Sequence, residues 1–112
     1  SAEVSVRNGY DSVINNDEVT AMLENNIKEL YGEESIVKID KPRMDVEDFS
    51  FFLQKAKGVF FRLGVRNEEK GIIYDLHHPR FNVDEESIRY GMELQIKNLI
   101  SVLEMGKYEK GR

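Results

Sequence analysis

The sequence predicts an α/β fold, a partial sheet-and-helix arrangement of two or three layers with the element order β-α-β-α-β-α. Two observations support this class. Apolar residues recur at spacings of three and four in the longer segments, as on one face of a helix. Three shorter segments alternate in polarity or are almost entirely apolar, as strands do. Helices that alternate with strands favour a parallel or mixed sheet with helices packed on it.

The three predicted strands cover residues 2–7, 35–40 and 59–65. The first alternates between apolar and polar residues, the second is short and β-branched, and the third is apolar except for Arg62. Three strands make a thin sheet, and the first has no partner hairpin. Because an unpaired strand edge invites association, we expect the chain to be part of a larger fold or to pair with another copy.

The first predicted helix begins after an N-cap at Asn15, with Glu18 three residues on, and ends at Gly32. The second is predicted over residues 45–57 and the third over residues 84–105. A stripe of apolar residues marks the buried face of each one. These stripes are Val19, Leu23, Ile27 and Leu30; then Phe49, Phe52, Leu53 and Ala56; then Ile88, Met92, Ile96, Leu99 and Leu103.

Composition excludes several classes of partner. The 112 residues include 16 basic and 21 acidic ones spread along the chain, and without a basic stripe we expect no nucleic-acid partner. No apolar run approaches the roughly 20 residues that cross a bilayer, so we expect no membrane partner. The chain has no cysteine, so any metal site must use His, Asp or Glu. A cysteine-free chain is compatible with the cytoplasm, which is the location we expect.

The only two histidines, His77 and His78, lie just before the third predicted helix. Pro79 pushes the residue before it towards an extended conformation, so an imidazole here can project into a cleft. The alternative is that two adjacent histidines are ordinary polar residues of a loop. A lone pair of histidines matches no metal-ligand spacing by itself.

Five motifs follow one another along the chain. They are Gly9-Tyr10, Asn15-Asn16-Asp17-Glu18-Val19-Thr20, Met44-Asp45-Val46-Glu47-Asp48-Phe49-Ser50, Phe60-Phe61-Arg62-Leu63-Gly64 and Leu76-His77-His78-Pro79-Arg80-Phe81 with Asp84-Glu85. In this order they resemble the C-terminal part of the aminoacylase-like metallo-amidohydrolases. That zinc-metallopeptidase-like family includes hippurate hydrolases, N-acyl-amino-acid amidohydrolases and indoleacetyl-amino-acid hydrolases. The resemblance extends from about residue 2 to residue 105.

The resemblance implies a division of the chain. Residues 1–14 resemble the last strand and return linker of a satellite domain, and residues 15–112 the C-terminal half of a catalytic domain. The implied parent is a metal-dependent amidohydrolase that cleaves the amide bond of N-acyl amino acids or short peptides. Its implied cofactor is a pair of divalent metal ions, Zn²⁺, Mn²⁺, Co²⁺ or Ni²⁺. The other metal ligands and the general base would lie in a missing N-terminal half.

The resemblance also assigns site residues. His77 falls on the position of a metal ligand, a role that suits a neutral imidazole, and His78 on a variable position next to it. Met44, Asp45, Val46 and Glu47 fall on the wall of the substrate site. Asp45 replaces the glycine of the family pattern, and its carboxylate would repel an anionic substrate. The alternative role of the acidic residues here is helix capping.

Two functions follow. The first is the C-terminal part of such an amidohydrolase, inactive as this isolated chain because one or two histidines cannot supply several ligands and a base. The second is a non-catalytic binding or assembly module that forms a homo-oligomer through its exposed first strand.

Overall fold

The computed structural model describes residues 1–110, with side-chain surroundings for residues 1–106. In this range the chain forms three α-helices and one short 3₁₀ helix. They are α1 (Asp17–Tyr31), the 3₁₀ helix (Glu33–Ser35), α2 (Phe49–Leu53) and α3 (Glu86–Lys110). An isolated antiparallel bridge joins Asn67 to Ile72. None of the helices in the described range combines the length and the apolar character needed to cross a bilayer.

The predicted α/β fold class is wrong, because residues 1–110 contain no strand and no sheet. A strand persists only when the N–H and C=O groups of a neighbouring segment complete its ladder. The segment 59–65 finds other partners instead. The side chain of Asn15 exchanges two hydrogen bonds with the backbone of Phe60, at 3.0 and 2.8 Å, and the carbonyl of Val65 accepts the N–H of Asp84. The apolar pattern indicated a tendency to be buried but could not supply a pairing partner.

Helix α1 follows its prediction closely except at its N-terminus. The cap is Asn16, whose Oδ1 accepts the N–H of Val19 at 3.1 Å, and not Asn15 as predicted. Gly32 ends the helix with a φ of 88°, a conformation that glycine adopts without strain. On the predicted inner stripe, Leu23 is buried. The cap prediction failed because the Asn15 side chain is used by Phe60 instead.

Helix α2 is much shorter than predicted, five residues in place of thirteen, and begins only at Phe49. The Oε1 atom of Glu47 accepts the N–H of Phe49 at 3.3 Å, which favours a start at this point. The aromatic rings of Phe49 and Phe60 pack with their centroids 5.5 Å apart. Phe52, predicted to face inward, is mostly exposed. The four predicted substrate-site residues therefore precede the helix.

Helix α3 buries the face opposite to the predicted one. The residues of the predicted stripe are each more than half exposed. The face that turns towards the rest of the chain instead carries small and polar residues, and it consists of Ser87, Gly91, Leu94, Asn98, Ser101 and Met105. A Cβ atom on Gly91 would lie 3.0 Å from the side chain of Leu63, so glycine permits this close approach. Gly106, the predicted end, lies inside the helix.

The contact between α1 and α3 is partly polar. Asn26 is buried, and its Nδ2 donates to Asn98 Oδ1 at 2.9 Å. Ser101 Oγ donates to Asn26 Oδ1 at 3.2 Å. These paired groups fix the register of the two helices, because a shifted register would leave a buried amide without partners. Leu23 and Leu94 are buried on the same two helices.

The chain leaves much of its surface uncovered. Its accessible area is 9976 Å², whereas a folded monomer of this mass would expose about 6,300 Å². Its radius of gyration is 17.9 Å, against about 13 Å for a compact domain of this length. The buried apolar side chains in the described range are only Leu23, Ile72 and Leu94. Residues 1–110 thus form an open arrangement with apolar surface free for another polypeptide.

Asp84 joins the loop of residues 66–72 to the start of α3. Its carboxylate accepts hydrogen bonds from Asn67 Nδ2 at 2.6 Å and Lys70 Nζ at 2.8 Å. Its backbone carbonyl accepts the N–H of Ser87 in the first turn of the helix. The hydrogen bond from Lys70, followed by that from Asn67, lowers the pKa of Asp84. Asp84 therefore favours the folded chain when it is ionised.

We expect Asp84→Asn to remove part of the acid sensitivity of the fold. A lowered folded-state pKa stabilises the protein above the unfolded-state pKa of about 3.9, and this contribution is lost as the pH falls through the folded-state pKa. The difference in unfolding free energy between wild type and Asp84→Asn should therefore shrink from about pH 6 to about pH 2. Urea unfolding followed by circular dichroism measures it. Asp48→Asn is the control, because the carboxylate of Asp48 makes no capping hydrogen bond. If the unfolding free energies of wild type and Asp48→Asn differ with pH by the same amount, the proposed role of Asp84 is contradicted.

Candidate functional site

The histidine segment, residues 76–81, is a loop held by short-range hydrogen bonds. The N–H of His78 donates to the carbonyl of Asp75 at 3.2 Å, and the N–H of Phe81 donates to the carbonyl of His78 at 2.9 Å. The N–H of Leu76 donates to the carboxylate of Asp75 at 2.8 Å. These bonds turn the chain twice within a few residues and leave the side chain of His77 on the outside.

His77 has a strained backbone and a free ring. Its φ is 67°, a left-handed conformation found at no other non-glycine residue between positions 1 and 110. That conformation costs a side-chain-bearing residue about 1 kcal/mol or more and often marks a functional position. The residue is exposed, and within the described part of the chain its ring has no hydrogen bond or ion pair. Both ring nitrogens are therefore available to a ligand from outside this chain.

His78, by contrast, is engaged within the loop. Its ring stacks on Tyr74 with a centroid distance of 4.2 Å and an interplanar angle of 10°. Its Nδ1 accepts the backbone N–H of Arg80 at 3.1 Å. Arg80 also donates to the hydroxyl of Tyr74 at 3.0 Å. These contacts give His78 the role of supporting the loop, and they distinguish it from its neighbour.

The predicted substrate-site residues lie on irregular backbone before α2. Met44 and Val46 are exposed, and the Glu47 carboxylate caps the first turn of α2 as described above. Asp45 is the most constrained of the four residues. Its Oδ2 accepts hydrogen bonds from Arg43 Nε at 3.1 Å and from Arg62 Nη2 at 2.9 Å. The carboxylate that was expected to repel an anion is therefore paired with two cations.

An ion pair links this stretch to the histidine segment. Arg43 Nη2 lies 3.6 Å from Asp75 Oδ2, two residues before His77 in the chain. The backbone N–H of Leu76, and then the Arg43 guanidinium, lower the pKa of Asp75. Asp75 is thus ionised at neutral pH and can hold Arg43. Arg43, next to Met44, and Asp75, next to Leu76, thus connect the stretch of predicted substrate-site residues to the histidine segment.

The sequence gives no direct indication of a role for Arg43, Arg62 or Asp75. Arg62 and Asp75 are each the single charged residue in a mostly apolar run, and this is the signal that could have drawn attention to them. Arg43 has other charged residues beside it in the chain, so no pattern could single it out. Their roles depend on which side chains meet in space.

Arg43 and Arg62 border two cavities. A cavity of 570 Å³ is lined by Tyr10, Asp45 and Glu47 among others. A second cavity of 490 Å³ reaches Asp75 and Leu76 at the histidine segment. Arg43, Phe60 and Arg62 line both. A small molecule at this position would contact both predicted parts of the site.

Within the described part of the chain, His77 can serve as one metal ligand, but no complete metal site is formed. His77 offers a free imidazole, which suits a divalent transition metal. Among the side chains of residues 1–106, no three His, Asp or Glu side chains converge in a way that could hold a metal ion. A metal bound at His77 would need ligands from another polypeptide segment.

Comparison with known proteins supports a specific family. Residues 1–99 match the Peptidase family M20/M25/M40. The chain is 39% identical over 90 residues to a probable hydrolase of Synechocystis sp., 43% over 82 residues to thermostable carboxypeptidase 1 of Saccharolobus solfataricus, and 42% over 62 residues to N-acetyldiaminopimelate deacetylase of Streptococcus sanguinis. These alignments cover 80%, 73% and 54% of this chain. No solved structure matches it.

The chain is much shorter than these relatives. The aligned parts amount to 23%, 20% and 15% of the three relatives' own lengths. The family match nevertheless covers most of the chain, from its first residue to the middle of α3. The chain therefore belongs to the Peptidase family M20/M25/M40.

Proposed function

We propose that this chain is the C-terminal part of a metal-dependent amidohydrolase that hydrolyses the amide bond of N-acyl amino acids or short peptides. The observation that carries the proposal is the family match over residues 1–99. Two relatives are named as a carboxypeptidase and an N-acetyl deacetylase, and both names describe hydrolysis of an amide bond. We also propose a cytoplasmic location, for which the support is the cysteine-free composition.

In this proposal residues 1–14 connect to a satellite domain and residues 15–112 are the C-terminal half of the catalytic domain. The open surface described above supports a missing polypeptide. So does the exposed apolar stripe of α3, because the apolar face of a helix is usually covered by another part of the protein. The missing N-terminal half would supply that cover and the remaining site residues.

His77 would be one ligand of a pair of Zn²⁺, Mn²⁺, Co²⁺ or Ni²⁺ ions. Its strained backbone, exposed position and free ring support this role. A metal of this kind supplies an activated water and polarises the substrate carbonyl. His78 would support the loop through Tyr74 and Arg80. Met44, Asp45, Val46 and Glu47 would form one wall of the substrate site beside the 570 Å³ cavity, which is lined by three of them.

The alternative is a non-catalytic module that associates with another copy. In the sequence analysis this alternative depended on a strand at residues 2–7, and the structure has no strand there. What remains in favour of association is that Val4 and Val6 are exposed. Size-exclusion chromatography with light scattering of wild type and a Val4→Ser, Val6→Ser variant tests it. A dimer that dissociates in the variant supports the alternative, and a monomeric wild type contradicts it.

We expect the 112-residue chain alone to hydrolyse nothing, because the side chains described in the structure form no complete set of metal ligands. The test compares this chain with a protein extended by its upstream coding sequence. Both are loaded with Zn²⁺ or Mn²⁺ and supplied with hippurate and dipeptides. We expect the longer protein to hydrolyse these substrates and the 112-residue chain not to hydrolyse them. Hydrolysis by the short chain would contradict its inactivity, and a longer protein that neither hydrolyses these amides nor binds metal would contradict the proposed function.

A further inference from the structure

Two guanidinium groups converge on a single oxygen atom of Asp45. Arg43 Nε and Arg62 Nη2 both donate to Oδ2, at 3.1 and 2.9 Å. Arginine binds carboxylates in general through such charge-assisted hydrogen bonds. The carboxylate of a ligand could therefore accept the same hydrogen bonds that the carboxylate of Asp45 accepts here.

Each arginine is also held by contacts that do not involve Asp45. Arg43 pairs with Asp75, whose carboxylate is fixed by the N–H of Leu76. Arg62 lies two residues after Phe60, where the Asn15 side chain clamps the backbone. Removal of the Asp45 carboxylate would leave two guanidinium groups with one carboxylate, that of Asp75. The two guanidinium groups could then donate their hydrogen bonds to the carboxylate of a ligand.

There is room for a ligand at this position. The 570 Å³ and 490 Å³ cavities share the two arginines and Phe60 as common lining. A ligand whose carboxylate binds between Arg43 and Arg62 could therefore place the rest of the molecule in either cavity. The second cavity also reaches Leu76, next to His77.

We infer that Arg43 and Arg62 form a binding site for a ligand carboxylate, and that Asp45 fills this site as an internal ligand. The carboxylate group of an N-acyl amino acid competes with Asp45 for the two guanidinium groups. This assignment of the ligand rests on the proposed function, whereas the site itself rests on the contacts above. Asp45 therefore weakens substrate binding by occupying the site.

Titration of the 112-residue chain with hippurate tests the inference by calorimetry and by the Nε–H signals of Arg43 and Arg62 in NMR spectra. Asp45→Asn is expected to bind hippurate about tenfold more tightly than wild type, the equivalent of about one hydrogen bond to a charged group. Asp45→Gly should show the same gain. Hippuramide, which lacks the carboxylate, should show none. The double variant Asp45→Asn, Arg62→Gln should return to the affinity of wild type.

Asp48→Asn is the matched control, since it removes the same charge but leaves Asp45 and the ion pairs of both arginines in place. We expect its affinity to change by less than about twofold, as for an exposed charge. Circular dichroism checks that every variant keeps its helices. Equal affinity of wild type and both Asp45 variants would overturn the inference. So would an equal gain in Asp48→Asn, which would show a simple effect of net charge.

The outcomes also separate this inference from the proposed function. If the longer protein hydrolyses hippurate while Asp45→Asn binds it no better, the internal-ligand site is wrong and the proposed function stands. If Asp45→Asn gains affinity while the longer protein neither hydrolyses amides nor binds metal, the carboxylate site stands and the proposed function is wrong.

Discussion

His77→Ala, made in the protein that includes the upstream polypeptide, is expected to lower the affinity for Zn²⁺ by at least about 100-fold. Loss of a residue that merely supports a ligand costs about 10- to 100-fold, and the loss of a ligand should cost no less. The reason for choosing His77 is structural, because its ring is free and its backbone is held at a φ of 67°. Competition with a chromogenic zinc chelator measures the affinity.

His78→Ala is the matched control for this prediction. His78 stacks on Tyr74 and accepts the N–H of Arg80, so its loss should loosen the loop without removing a ligand. We expect a smaller loss of zinc affinity, about tenfold, the low end for a residue that supports a ligand. Equal losses in the two variants, or zinc affinity untouched by His77→Ala, would refute the ligand assignment.

Leu94→Ala is expected to lower the free energy of unfolding of the 112-residue chain by about 2 kcal/mol, the low end of the range for a buried leucine. Leu94 is 3% exposed, and few apolar side chains are buried with it in the described part of the chain. The low end applies because Leu94 already borders a 420 Å³ cavity, so its truncation enlarges existing space. Urea unfolding followed at 222 nm measures the change.

Ile96→Ala is the control for the orientation of α3. Ile96 belongs to the stripe predicted to be buried, but it is 57% exposed. Its replacement should change the unfolding free energy by about 0.5 kcal/mol or less, since alanine also favours helix. If Ile96→Ala destabilises the chain as much as Leu94→Ala does, the orientation of α3 described here is wrong.

The sequence predicted the three helices better than anything else in the fold. Their existence follows from local signals such as the cap at the start of α1 and Gly32 at its end. The strands failed because a strand depends on a partner segment, and residues 1–110 supply none for residues 59–65. The prediction of the buried face of α3 was wrong for a related reason. Its apolar stripe is the natural choice for burial, yet the helix packs on α1 through its small and polar residues.

The sequence by itself determined the family, through motifs that keep their order along most of the chain, and it singled out His77 as a residue to test. Only the tertiary structure decided that His77 is strained and free while His78 is stacked and hydrogen-bonded. It alone showed Asp45 between Arg43 and Arg62, which are separated in sequence by 19 residues. The physical reason is that helix caps and motifs are local properties, whereas ion pairs and packing faces depend on segments that meet only after folding.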